Sequence, residues 1–224
     1  MRLSRILLAF AGCLALAFAA GLLYRHHREK AALAVHTAPA APPPTPVHDT
    51  SALKPPAGSH VAIVEFEDME CPNCGRSNPV LKQAAAQFKI PWIRHDFPLS
   101  FHKWSFQAAV NARWFGTQSK PLGDDYRDAV FTSQQTIVTP EDLFAFTQKF
   151  ADAHKVALPF ALDPQGNLAG DVRADYDLGM RTGVQHTPTV WIVTDRGRGA
   201  SYREVSVDLH DLDAMIGQAQ ADTQ

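Results

Sequence analysis

Cys71 and Cys74 are separated by Pro72 and Asn73, and the only other cysteine in the chain is Cys13. A Cys-x-x-Cys pair has a definite chemistry where it opens a helix directly after a strand. The unsatisfied N–H groups and the dipole at a helix N-terminus favour an anion, so the first thiol loses its proton readily. Only the thiolate attacks a disulfide. The second thiol stands one helical turn on, close enough to close a bridge and release a mixed disulfide. Pro72 suits the first turn, and Asn73 adds a polar, uncharged side chain. Two plainer readings compete. A structural zinc site would need two more ligands, and His95, His102 and His186 are irregularly spaced for that role. A passive disulfide seldom closes so short a loop, because it removes little unfolded-state entropy. Three cysteines are also too few for a disulfide-stapled scaffold. The residues favour dithiol–disulfide exchange, with no metal and no cofactor expected.

The flanking pattern supplies the strand and the helix. Residues 61–66 form a short, nearly continuous apolar run rich in β-branched side chains, as in a buried strand. Within it Glu65 is the clearest violation of pattern, since an unpaired buried carboxylate is costly and tends to keep its proton. Val80, Leu81, Ala84, Ala85 and Phe88 recur at helical spacing. Residues 90–97, with Trp92, Ile93 and Phe97, read as a second strand. Helical spacing returns in 105–115, in 126–133 and in a segment opened by Thr139-Pro140-Glu141-Asp142. There a Thr cap precedes Pro at the first helical position and acids in the first turn. Residues 168–180 read as a helix. Residues 189–194 and 202–207 read as strands joined by the turn Asp195-Arg196-Gly197-Arg198-Gly199. Asp208 is placed to cap a last helix whose apolar face is Leu209, Leu212, Ile216 and Ala219. A helix between the first two strands implies a parallel βαβ unit, and the last two strands form a hairpin. The pattern is an α/β domain with helices inserted in its middle.

Composition divides the chain. Of 224 residues, 46% are apolar and 20% charged, which excludes a collagen, a coiled coil, bulk disorder or a multi-spanning membrane protein. The net charge of −2 is the sum of +4 over residues 1–59 and −6 over residues 60–224, with nothing that suits a nucleic acid. Residues 6–24 are an uninterrupted apolar run between Arg2 and Arg5 on one side and Arg25, His26, His27 and Arg28 on the other. As a helix they span roughly 28 Å, just short of a hydrocarbon core. The run exceeds the usual signal-peptide core of about 7–15 residues, which favours an uncleaved anchor over cleavage at Ala17-Phe18-Ala19. Either way the remainder is exported. Cys13 reads as one apolar residue of that helix. Residues 25–59 contain seven of the sixteen prolines and no apolar period. They are expected to form an extended, semi-rigid tether reaching up to roughly 100 Å. The expected organisation is a signal anchor or signal peptide at 1–24, a linker at 25–59 and a folded domain at 60–224.

The run Glu65-Phe66-Glu67-Asp68-Met69-Glu70-Cys71-Pro72-Asn73-Cys74 resembles the active-site segment of DsbA-like thiol–disulfide oxidoreductases, members of the thioredoxin superfamily. Glu65, six residues before Cys71, matches the family's buried acid. Pro79, five residues after Cys74, matches its helix-kinking proline. Gly183-Val184-Gln185-His186-Thr187-Pro188-Thr189-Val190 is similar to the family's Gly-Val-x-x-Thr-Pro-Thr block, whose proline is cis and faces the cysteines. Phe97-Pro98-Leu99-Ser100-Phe101-His102, followed by Ala108-Ala109, resembles the opening of the family's helical insertion, expected here at about residues 101–178. The resemblance covers roughly residues 60–220 and implies a thioredoxin-like fold with an inserted helical subdomain. In it Cys71 forms the mixed disulfide, Cys74 resolves it and Glu65 relays the Cys74 proton. Pro72, Asn73, Thr187, Pro188 and His186 support the site, Thr187 offering its backbone to a client strand. The chain departs from the family at His186, where Gly is usual, and at Asn73, where DsbA has His. Its last hairpin is also longer, carrying Arg196, Arg198 and Arg203.

These departures bear on the redox balance. His186, if it lies near Cys71, would stabilise the thiolate by its charge, whereas Asn73 brings none. The acids Glu65, Glu67, Asp68 and Glu70 read as one buried and three solvated groups, whose charge opposes a low thiolate pKa. Trp104, Phe106, Trp114 and Phe115 read as insertion core, and His95 and His102 as structural. The expected protein is an exported oxidant of client proteins, held in a bacterial inner membrane by one helix with its catalytic domain in the periplasm, or soluble there after cleavage. Its partners would be cysteine-bearing clients and a membrane redox partner that recycles the pair. A monomer is expected. Isomerases of the superfamily usually carry a dimerisation module before the catalytic domain, and residues 25–59 cannot form one, which weighs against an isomerase. The alternatives are a reductase or isomerase keeping exported cysteines reduced, for example during cytochrome c maturation, and a non-catalytic adaptor or chaperone, which has no need of both cysteines.

Overall fold

The computed structural model describes residues 53–196, 202–206 and 208–224. The apolar run at 6–24, the tether up to residue 52 and the turn residues 197–199 lie outside the described residues. Among the described residues no helix is long and apolar enough to cross a membrane. Strand β1 (Val61–Glu67) leads through residues 68–71 into α1 (Pro72–Phe88) and then β2 (Trp92–Asp96). Four helices follow: α2 (Ser105–Gln118), α3 (Lys120–Ser133), α4 (Pro140–Ala153) and α5 (Asn167–Thr182). The chain ends with β3 (Thr189–Thr194), β4 (Tyr202–Glu204) and α6 (Leu212–Asp222). The sheet order is β2-β1-β3-β4, with β1 parallel to β2 and β3 antiparallel to both β1 and β4.

The two-residue period of β1 explains its apolar sequence. Val61 and Ile63 face Leu81 and Ala84 of α1 and Ile216 of α6. Ala62, Val64 and Phe66 face the other way, where Leu178 of α5 packs on them with Trp191 and Phe97. A strand covered on both faces reads as continuous apolar residues. Helix α5 lies so close to the sheet that a Cβ on Gly179 would stand 2.5 Å from the Phe97 ring, which only glycine avoids. The first half of α5 belongs instead to the insertion core, where Val172 joins Trp104, Phe115, Tyr126 and Phe150. Phe106 and the buried Trp114 complete the aromatic cluster expected there. Thr139 and Asp142 form a reciprocal capping box at the start of α4, satisfying two otherwise orphaned N–H groups.

Three local expectations are corrected. Leu53 is 1% exposed and packs into the α5 side of the core, so the folded part reaches back past His60. Strand β4 stops at Glu204. Helix α6 starts after Asp211 without a side-chain cap, while Asp208 pairs with His210 instead.

Buried charge joins the sheet to the insertion. Glu67 and Asp96 are register partners at the ends of β1 and β2, and both are buried. Like charges placed opposite one another repel. Arg127 of α3 answers them, its Nη1 donating to Glu67 Oε1 at 2.7 Å and to Asp96 Oδ1 at 2.6 Å. Arg94 donates to Glu67 Oε2 through Nε and Nη2. Arg113 of α2 donates to Asp96 Oδ2 at 2.6 Å and also pairs with Asp175 of α5. Burial alone would raise the Asp96 pKa, but Arg127 and Arg113 outweigh it and hold the carboxyl below its ordinary range. Removing one partner of such a cluster leaves an uncompensated buried charge, at a cost of about 3–5 kcal/mol. Arg127→Ala should therefore lose stability of that order in chemical denaturation. A loss under about 1 kcal/mol, the range of exposed pairs, would contradict the account.

Candidate active site

Cys71 is the N-cap of α1 and Pro72 its first helical residue, with Cys71 at φ −74° and ψ 120°. Extended backbone at the cap turns the Cys71 side chain toward the first N–H groups of the helix. Both cysteines are free thiols and both are buried. The Cys71 pKa is pushed down to about 5, first by a hydrogen bond from the Cys74 thiol. Burial opposes this, and the Thr187 side chain and the backbone N–H groups of Cys74 and Asn73 add to it. The Thr187 hydroxyl is buried with no other partner among the described residues, so it is available to a Cys71 thiolate. The protonated form has a different neighbour, the Thr187 carbonyl oxygen 3.4 Å from Cys71 Sγ. Cys74 goes the opposite way. Burial first, then the hydrogen bond to Cys71 and the charge of Glu65, push its pKa well above that of a free thiol. The two sulfurs are chemically unlike: one is held as an anion and the other holds its proton.

Glu65 lies beneath them, on the α1 side of β1. Its Oε2 accepts from Trp92 Nε1 at 3.0 Å and its Oε1 from Ser77 Oγ at 3.4 Å. Ser77 Oγ also lies 3.0 Å from the Cys74 carbonyl oxygen. Burial, reinforced by the Glu67 charge and opposed by Arg94, raises the Glu65 pKa to about 8. Glu65 is thus a neutral acid at pH 7.

The turn between β1 and α1 is held by its own acids. Asp68 Oδ2 accepts from Leu99 N at 2.6 Å and lies 2.7 Å from His102 Nδ1, while the Asp68 N–H points at Cys74 Sγ, 3.4 Å away. Glu70 Oε2 accepts from Trp104 N at 2.7 Å and Ser105 N at 3.1 Å, satisfying the open start of α2 from outside the helix. The expectation of three solvated acids is therefore corrected. Glu65, Glu67 and Asp68 are buried and Glu70 is half-buried; Glu65 keeps its proton, and the other three have polar partners that absorb their charge.

A family model described as thioredoxin matches residues 57–205. The chain belongs to the thioredoxin family. Its fold is similar to that of alpha-DsbA1 of Wolbachia pipientis, at 16% identity and TM-score 0.59 over 75% of this chain and 91% of that one. It is also similar to BdbD of Bacillus subtilis, at 20% identity and TM-score 0.57 over 74% and 90%. A periplasmic thioredoxin-like protein of Salmonella enterica serovar Typhimurium matches at 21% identity and TM-score 0.54 over 72% and 84%. In sequence, 154 residues are 25% identical to part of the Na(+)/H(+) antiporter NhaA 3 of Salinispora tropica, covering 67% of this chain but only 23% of that protein.

In this thioredoxin-family domain the distant Thr187-Pro188 pair comes to the cysteines, joined by a cis peptide. Pro72 and Asn73 are exposed on the first turn of α1, and Asn73 accepts from Arg76. His186 precedes Thr187 and has polar contacts of its own. Its Nδ1 lies 3.1 Å from Pro188 O and its Nε2 3.8 Å from Glu204 Oε1, and neither contact leads to Cys71. Ser77, Trp92 and Gln134 belong to the site without having been expected there. The indole of Trp92, two residues before the register partner of Glu65, was the one readable signal, since a half-buried Trp N–H needs an acceptor.

Because Glu65 keeps its proton to about pH 8 when folded and loses it near 4.5 when unfolded, its contribution is complete below pH 4.5 and is lost as pH rises toward 8. Each unit in that window costs roughly 1.4 kcal/mol. Glu65→Gln should gain stability on wild type steadily between pH 5 and 8, as read by urea midpoints. Parallel pH profiles for the two proteins would contradict a neutral Glu65.

Proposed function

We propose that the domain is an exported thiol–disulfide oxidoreductase that oxidises cysteine-bearing client proteins through Cys71 and Cys74. The observation that carries this reading is the opposed ionisation of the two thiols at the start of α1. A client thiolate attacks Cys71 Sγ of the Cys71–Cys74 disulfide, and Cys74 leaves and takes a proton, for which neutral Glu65 is the donor. A second client thiolate then attacks the client sulfur of the mixed disulfide, and Cys71 departs as a stable thiolate. Two electrons pass from client to protein, and the client gains a disulfide. Ready departure of Cys71 and a stabilised reduced form favour this direction over reduction. The acids of the β1–α1 turn, each paired, offer it little opposition.

Thr187, beside Cys71, is the residue whose backbone would pair with a client strand. The wider setting belongs to the same proposal. Residues 6–24 would act as a single inner-membrane anchor or a cleaved signal, and the proline-rich stretch as a tether for a monomeric periplasmic domain. A membrane redox partner would reoxidise the cysteines. Export is supported by the apolar run with basic flanks and by the periplasmic description of the Salmonella relative.

Cys74→Ala removes the resolving thiol, so Cys71 should accumulate in covalent mixed disulfides with extracytoplasmic proteins, visible on non-reducing gels and lost in the Cys71→Ala/Cys74→Ala double variant. A folded, expressed Cys74→Ala protein that forms no adduct would overturn the proposal.

A further inference from the structure

Gln134 opens the short 3₁₀ turn Gln134–Thr136 at the end of α3, far from the cysteines in sequence. Its side-chain amide nevertheless reaches the active-site turn. Nε2 donates to the carbonyl oxygen of Met69 at 2.8 Å and to that of Cys71 at 3.0 Å. Two carbonyl acceptors fix which way the amide faces, since its oxygen has no proton to share with them. The Cys71 carbonyl already accepts the first ladder bond of α1, from Gly75 N at 3.1 Å, so Gln134 takes its remaining acceptor capacity. Gly75 makes room for this, because a Cβ there would stand 2.4 Å from Gln134 Oε1. Ile137, three residues on, is buried in the insertion core beside Phe131 and anchors the turn that carries Gln134.

The Cys71 carbonyl and side chain leave the same Cα, so holding one determines where the other falls. We infer that Gln134 is a positioning residue through which the helical insertion holds the Cys71 cap in the geometry that favours its thiolate. This rests on the reading of Cys71 as the exchanging thiol. Gln134 is uncharged and does not act as a counter-ion. The charged and titratable groups around Cys71 are Cys74 and Arg76 on α1, Glu65 on β1, and Asp68 and Glu70 on the turn. His102 joins them from the insertion and His186, paired toward Glu204, from the loop before β3. All of these remain in place when Gln134 is replaced.

The test is the titration of thiolate absorbance near 240 nm in the reduced full chain in detergent, for wild type, Gln134→Ala, Gln134→Glu, Gly75→Ala and the Gly75→Ala/Gln134→Ala pair. Gln134→Ala should raise the Cys71 midpoint by about half a pH unit, a roughly threefold fall in thiolate on the acid side. Gln134→Glu should raise it further, because a carboxylate cannot donate to the two carbonyls and adds negative charge. Gly75→Ala should match Gln134→Ala, since the new methyl displaces only the end of a flexible side chain and alanine favours helix α1. The paired variant should shift no more than either single change, because both remove one contact. An unchanged midpoint in Gln134→Ala, or shifts that add in the paired variant, would overturn the inference. A wild-type Cys71 that titrates like a free thiol would instead sink the reading of the site itself.

Discussion

Two carboxylates, Glu67 and Asp96, stand opposite each other at the ends of parallel strands and away from water. They cannot stay there as anions without a cation, and the sheet brings Arg94 to Glu67. The others come from the insertion, as Arg127 on α3 and Arg113 on α2. The demand for charge balance therefore decides where the helices dock. The aromatic core around Tyr126 and Phe115 then fills the space behind them. A hydrophobic pair at these positions would cost less to bury, but it would not dictate which helix residue meets which strand.

The docked insertion in turn builds the chemistry. Residues 68–71 are held by contacts to the helices and to the loop after β2. Asp68 holds Leu99 and faces His102, Glu70 completes the start of α2, and Gln134 supports two carbonyls. With its neighbours' charges absorbed, Cys71 meets mainly donors, while Cys74 one turn later is sealed in the core. The two thiols differ because one sits on the cap of a helix and the other inside it. Glu65 keeps its proton at the same depth because burial outweighs the pull of its donors Trp92 and Ser77.

What could be read from sequence followed from local rules. The Cys-Pro-Asn-Cys segment, the continuous apolar strand before it and the Thr139–Asp142 cap are each set by residues within one or two turns of one another. Glu65 was legible as a violation, because a charged residue in an apolar strand must have a reason. Glu67 and Asp68 were not, since their burial depends on Arg127, about sixty residues on, and on backbone donors at Leu99. Gln134 carried no signal at all, being one polar residue at a helix end.

The fold stabilises the reduced pair by making Cys71 a thiolate. A Cys71 pKa of about 5 lies between about 7 for the thioredoxin nucleophile and about 3.5 for that of DsbA. Equilibration of the Cys71–Cys74 pair with a glutathione redox buffer measures that stabilisation. The expected reduction potential lies above about −270 mV and below about −120 mV, the values of those two proteins. A potential at or below about −270 mV would contradict it and make the protein a reductant.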